Sequence, residues 1–197
     1  MTAPPLVLAS TSTYRRDLLA RLRLPFLTAA PQVDETRRPS EPATDLVMRL
    51  AEAKARAVAV AHPEALVIGS DQVAVIDDKI LGKPGGREQA IQQLTSAAGR
   101  IVSFYTGLCL LNSATGQART ICEPFLVHFR QLTLREITGY VDLERPFDCA
   151  GSFKSEGLGI ALFARLEGDD PNALIGLPLI RLVELLQAEG LDVLADI

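Results

Sequence analysis

Leu66-Val67-Ile68-Gly69-Ser70-Asp71-Gln72-Val73 lies a third of the way along the chain. Its apolar run is too short for a helix and reads as a buried strand. The run passes through Gly69-Ser70 directly into an acid and an amide, and strand character resumes from Val73 to Ile76. A turn at Asp77-Asp78 leads to Ile80-Leu81-Gly82-Lys83-Pro84. A carboxylate set between two apolar strand runs must be paired, hydrated or metal-bound, because an isolated buried charge is costly. Taken alone, Asp71 fits a turn cap as well as a functional acid. The remainder of the chain has to decide.

Upstream, Leu6-Val7-Leu8-Ala9 is a second short apolar strand, followed by the capping residues Ser10-Thr11-Ser12-Thr13. A helix is expected from about Tyr14 to Leu22, with Leu18, Leu19 and Leu22 on its apolar face. A strand that feeds a hydroxyl-rich turn and a helix start presents free backbone N–H groups and a positive dipole end, which suits an anion. Arg15 and Arg16 stand in that first turn, where dipole repulsion disfavours cations unless a ligand or solvent compensates. Pro25 to Ala30 reads as another strand. Val33-Asp34-Glu35-Thr36 opens a charged, proline-punctuated loop that ends near Pro42, and its two acids suit solvent or a cation.

From Thr44 or Asp45 a helix is expected to run to about His62, its apolar positions following helical spacing. Glu52 and Arg56 can pair across one turn of its outer face. Lys54 is four residues from both Leu50 and Val58 and so borders the apolar stripe. It can snorkel to solvent or reach along the packed face to a buried anion.

After the Asp71 hairpin, a helix from Arg87 to Ala98 stops at Gly99. Two long strands, Ile101 to Leu111 and Ala118 to Arg130, flank a hairpin signal at Asn112 to Gly116. Thr133-Leu134-Arg135-Glu136 is a capping box opening a helix to about Leu143. The small-residue stretch from Cys149 to Gly157 carries Lys154 and Glu156, and a strand from Ile160 to Leu166 follows. Pro178 suits the first turn of a last helix ending before Gly190. No repeat or linker interrupts this order. It predicts one mixed α/β folding unit over residues 1–197.

At 197 residues, with 48% hydrophobic and 22% charged residues, the chain can bury a sizeable core. A net charge of −4 argues against general nucleic-acid binding, yet leaves room for a local cation cluster around a small anion. Three cysteines without CxxC spacing point away from a disulfide scaffold or a zinc site and toward a reducing cytoplasm. No leader pattern and no membrane-length apolar run is present, so a cytoplasmic protein is expected. His62 and His128 sit at a helix end and inside a strand, which suits neither a histidine-based metal site nor a catalytic triad. The common glycine-rich nucleotide loops are absent. What remains is a scatter of cations (Arg15, Lys54, Lys83, Lys154) and acids (Glu35, Asp71) on turns and helix edges. That inventory suits polyphosphate chemistry: cations offset phosphate charge, acids hold a hard divalent metal, and one carboxylate activates water.

These residues fall into a pattern. Leu8-Ala9-Ser10-Thr11-Ser12 with Arg15, Val33-Asp34-Glu35-Thr36, Lys54, Gly69-Ser70-Asp71-Gln72, Gly82-Lys83-Pro84, Gly151 to Gly157 and Gly176-Leu177-Pro178 together resemble the Maf-type nucleoside triphosphate pyrophosphatases. The branch most resembled acts on 7-methyl-GTP. The resemblance covers nearly the whole chain. It implies an α/β fold with an elongated central mixed sheet flanked by helices, similar to that of inosine triphosphatases, with two lobes and a cleft. It also implies cleavage between the α- and β-phosphates, with Mg2+ or Mn2+ as cofactor. Asp71 would accept the proton of the attacking water, with Glu35 and Asp71 the metal candidates. Ser10, Arg15, Lys54, Lys83 and Lys154 would cradle the triphosphate. A homodimer is compatible with the resemblance; a nucleic-acid or membrane partner is not expected.

Tyr14, Gln72 and Glu156 bear on the base. The branch resembled usually carries Trp at the position of Tyr14 and proline at that of Thr13, whereas the UTP- and dTTP-cleaving branch carries arginine at 14 and glutamine at 156. An aromatic face attracts a methylated, cationic purine, by about 0.5–2 kcal/mol, and Trp does so better than Tyr. Glu156 can accept from the guanine N1–H and amine while adding opposite charge. Tyr14 with Glu156 therefore favours the modified purine over a pyrimidine. A non-catalytic nucleotide-binding regulator of cell division is the alternative from another class. It would need the cations but not a water-activating carboxylate.

Overall fold

The computed structural model describes residues 4–195. Strands β1 (Leu6–Ala9), β2 (Phe26–Ala29), β3 (Leu66–Ile76), β4 (Lys79–Leu81), β5 (Ile101–Asn112), β6 (Gln117–Phe129) and β7 (Phe163–Glu167) form one sheet. Its order is β2-β1-β3-β5-β6-β7, with β4 also on β3. β1 runs parallel to both β2 and β3, and every remaining pair is antiparallel. The helices are α1 (Thr13–Ala20), α2 (Ala43–Ala59), α3 (Arg87–Ala97), α4 (Leu134–Glu144) and α5 (Leu179–Ala188). The expected mixed α/β architecture is present.

β3 organises the sheet. The stretch that reads as two strand pieces is one continuous strand, because β5 pairs with it from Leu66 to Val75 without a break. On its other edge the cover changes. β1 pairs as far as Gly69, and β4 begins at Ala74. Ser70, Asp71, Gln72 and Val73 are left between the two, a window in the sheet roughly 13 Å long at about 3.3 Å per residue. The turn into β4 is tight, with positive φ at Asp77 (46°) and Asp78 (62°), as two-residue hairpins require.

Alternation along β3 then assigns the faces. Val73 packs with Leu46, Val47 and Leu50 of α2, so Asp71 and Gly69 also face that helix. Methyl groups at Gly69 and Gly107 would collide with the α2 carbonyls of Ala51 and Val47. Glycine at both positions lets the helix backbone lie directly on the sheet. On the opposite face, Ile68 joins a leucine-rich core with α1 and α5, and Ala74 joins an aromatic core with α3 and α4. Phe153 is 5% exposed and meets Phe104, Phe129 and Phe163 edge to face at centroid distances of 5.3, 5.6 and 4.8 Å. That contact ties the small-residue stretch after Cys149 to the sheet.

Local boundaries depart from expectation: α1 ends at Ala20 and α2 at Ala59, short of Leu22 and His62. α2 starts at Ala43 behind Pro42, with no side-chain cap, so neither Thr44 nor Asp45 caps it. Leu158–Leu162 forms a 3-10 helix, and β7 starts only at Phe163; with two glycines beside it, the segment turns before it can pair. Pro178 is the N-cap of α5 rather than its first helical residue. The capping box at Thr133 and Glu136 and the Glu52–Arg56 pair (2.7 Å) are present.

Candidate active site

A cavity of about 730 Å³ opens at the window in the sheet. Its wall comes from the end of β1 and the turn into α1 (Ala9 to Arg15), from Glu35, and from Leu46, Leu50 and Lys54 of α2. Asp71, Gln72 and Val73 of β3 form another part, with Ile80 to Lys83 at the end of the hairpin and Asp148 and Ala150 from the small-residue stretch. A smaller cavity of about 130 Å³ adjoins it, sharing Tyr14, Arg15, Gln72, Lys83 and Asp148 and adding Cys149, Ser155 and Glu156. Nine of the ten residues singled out from sequence meet in this compound cleft.

Lys54 is the centre of the larger cavity's charge. The α2 helix lies close enough on Gly69 for the lysine to drop onto the strand, leaving its side chain 7% exposed. Its Nζ donates to Asp71 Oδ1 at 2.6 Å and lies 2.8 Å from Glu35 Oε1. A lysine from the margin of an apolar stripe thus bridges two carboxylates from separate segments. The bond from Lys54 holds the Glu35 carboxyl below its ordinary value, opposed by partial burial and helped by Lys83 and Arg15. Asp71 binds Lys54 through Oδ1 alone, which leaves Oδ2 for another partner.

The opposite face of β3 is tied to the loop before α5. Ser70 Oγ donates to the Gly176 carbonyl at 2.9 Å, and Arg15 Nε donates to the same oxygen at 2.8 Å. Gln72 Nε2 donates to the carbonyls of Ala173 (2.7 Å) and Leu174 (3.1 Å) and to Thr106 Oγ1 (3.0 Å). Its amide nitrogen is spent on the protein, so only its oxygen is left for a ligand. Surrounding protein lowers the Arg15 pKa from the usual arginine value, while Asp71 and Glu35 counter that effect. Ser12 caps α1 by accepting from Arg15 N, and Ser10 Oγ accepts from Ser12 N at 3.1 Å. The Ser10 hydroxyl proton remains available to an anion. Lys83 makes no hydrogen bond or ion pair with the described residues.

In the smaller cavity Tyr14 faces Cys149, whose thiol is 3.9 Å from the phenol oxygen and 3.4 Å from Asp148 Oδ1. Burial, followed by the charges and bonds of Cys149, Asp148 and Glu156, raises the Tyr14 pKa. The Cys149 thiol is likewise pushed up to about 12, chiefly by burial. It is a protonated donor at neutral pH.

Lys154 stands at the margin of the cleft, its charge acting on Cys149. Its Nζ donates to the Glu144 carbonyl at the end of α4 (3.0 Å), and its backbone N–H donates to Tyr140 Oη. It lines neither cavity. Two features escape the sequence reading: the Gly176 carbonyl, which no side-chain inventory registers, and Asp148, whose place beside the Cys149 stretch was the available signal. Among the described residues no three His, Cys, Asp or Glu side chains cluster as a metal cage. Glu35 and Asp71 form a two-carboxylate oxygen donor set, which matches magnesium-type sites that take one or two carboxylates and complete themselves with water and phosphate.

A family model described as "Maf-like protein" matches residues 5–189. The chain is 62% identical over 193 residues to the 7-methyl-GTP pyrophosphatase of Nitrosococcus oceani, covering 98% of this chain and 97% of that protein. It is 59% identical to the protein of the same name from Alcanivorax borkumensis (96% of each chain). With that of Pseudomonas aeruginosa the identity is 57% (96% and 99%). Among solved structures, the Ham1 protein of Staphylococcus aureus superposes with a TM-score of 0.50 over 94% of this chain and 99% of its own. At 13% identity that likeness concerns the fold alone.

Proposed function

The chain belongs to the Maf-like proteins, and from that premise we propose that it is a nucleotide pyrophosphatase that cleaves 7-methyl-GTP to 7-methyl-GMP and pyrophosphate. One observation carries the catalytic part. Asp71 is held in a cation-lined cavity by a single oxygen, with its second oxygen open. In this reading the triphosphate lies among Arg15, Lys54 and Lys83, with the Ser10 hydroxyl and the start of α1 donating to phosphate oxygens. Water attacks the α-phosphorus, Asp71 takes its proton, and the α–β bridging bond breaks so that pyrophosphate departs with the bond's electrons. Lys54 keeps Asp71 oriented and carries positive charge to the side where phosphate charge grows.

Glu35 and Asp71 would hold Mg2+ or Mn2+. Such an ion, when bound, neutralises the phosphates and polarises the bond to be broken. The base lies in the smaller cavity, against the ring of Tyr14 and near Glu156. The three cysteines are free thiols and no described helix is long and apolar enough to cross a membrane, which accords with action in the cytoplasm. The test is pyrophosphate release with magnesium or manganese from 7-methyl-GTP, GTP, UTP, dTTP and 5-methyl-UTP. A clear preference for 7-methyl-GTP is expected. A preference for UTP or dTTP would keep Asp71 and overturn the reading of the base. Tight binding without release would make the protein a nucleotide sensor.

A further inference from the structure

The cleft is polarised. Arg15, Lys54 and Lys83 ring its larger cavity, and the Lys54 charge is shared with Glu35 and Asp71. In the smaller cavity, which Arg15 and Lys83 also line, stand two further carboxylates, Asp148 and Glu156, neither of them in an ion pair with a described arginine or lysine. Both carboxylates are exposed. Asp148 has one hydrogen bond, from the Cys149 thiol, which also reaches the Tyr14 phenol. Asp148, Cys149 and Tyr14 form one connected group, placed where Asp148 lines both cavities. The charges of both carboxylates contribute to raising the Tyr14 pKa, after burial and Cys149.

Two exposed acids that line a cavity with an aromatic ring are an unfavourable arrangement for a neutral base, since covering them would cost them water with nothing in return. A base bearing positive charge reverses that balance and also gains the ring face. We infer that Asp148 is a specificity-determining residue, which together with Glu156 and Tyr14 selects a nucleotide whose base is cationic, as N7-methylation makes guanine. This rests on the proposed base reading and adds to it a residue that the sequence did not single out. Asp148 is exposed, and only Cys149 bonds to it, so substitution leaves the core untouched.

The experiment compares kcat/KM for 7-methyl-GTP and GTP in the full-length wild type, D148N and D148K, at low and high salt, with 7-methyl-GMP and GMP binding measured by calorimetry. In D148N the ratio of 7-methyl-GTP to GTP is expected to fall about three- to fivefold, the scale of a partly exposed charge pair. D148K should lower it further, and salt should shrink the difference between wild type and variants. The calorimetric ratio should fall in parallel, which places the effect in binding. An unchanged ratio in both variants, against a wild type that prefers the methylated base, overturns the role of Asp148 alone. A wild type without that preference overturns the base reading itself, and the wild-type arm decides this without the variants.

Discussion

Asp71 and Lys54 are 2.6 Å apart in a setting where neither has much water. That closeness makes isosteric replacement informative. Asp71→Asn keeps the shape and an acceptor oxygen but cannot take a proton from water. Its kcat is expected to fall about 10²- to 10⁴-fold while nucleotide binding persists, read by pyrophosphate release beside calorimetry; undiminished turnover would remove Asp71 from its role as proton acceptor. At the other end of the cleft, Glu156→Gln retains the hydrogen-bond acceptor and loses the charge. The preference for 7-methyl-GTP over GTP should drop by about two- to fivefold, and competition assays with both nucleotides would register it. A constant preference would mean that Glu156 does not face the base. Gln72 offers a contrast, because its amide nitrogen is already committed to the loop at Ala173 and Leu174. Whatever it contributes to the base must come through its oxygen.

α2 is the element on which the site depends. Its seat on Gly69 and Gly107 sets how far Lys54 can reach, so a methyl group under the helix should be felt in the cavity. Gly107→Ala forces a collision with the Val47 backbone, and a backbone cannot swing aside as a side chain does. A loss of about 1–3 kcal/mol is expected from urea unfolding, with activity reduced beyond what residual folding explains. How far such elements are legible from sequence differs by kind. β1, α3 and the α4 capping box follow local chemistry and appear where their residues indicate. β3 does not break at Gly69-Ser70, because continuous pairing with β5 overrides the weak strand preference of those residues. The charged site residues after β1, on α2 and β3 and beyond the hairpin are readable as a set. Their convergence is not, because it depends on where β1 stops and β4 starts. Lys154 shows what a charge inventory leaves out: a cation in a suggestive stretch donates to the carbonyl at the end of α4.

Across the whole molecule, acid should be the weak direction. The bonds from Arg49 hold the Glu41 carboxyl down at about 2, and Lys54 depresses Glu35 to a lesser degree. A carboxylate whose pKa is lower folded than unfolded stabilises the protein above its ordinary value near 4.5, and that contribution disappears as pH falls toward the folded value. Melting temperature should hold from pH 7 to about 5 and decline steadily toward pH 2.5; a flat profile would show these pairs to be energetically idle. The window in the sheet carries a consequence of another sort, for chain-length variation. Because side chains alternate, a single residue inserted between Gly69 and Ser70 and not absorbed in a bulge would turn Asp71 toward α5 and Gln72 toward α2, exchanging their surroundings. An inserted pair would preserve both orientations and lengthen the opening by about 7 Å. Without a bulge to absorb the extra residue, descent within such a fold widens its mouth in even steps, and a relative with an odd insertion ahead of Asp71 has had to rebuild its chemistry.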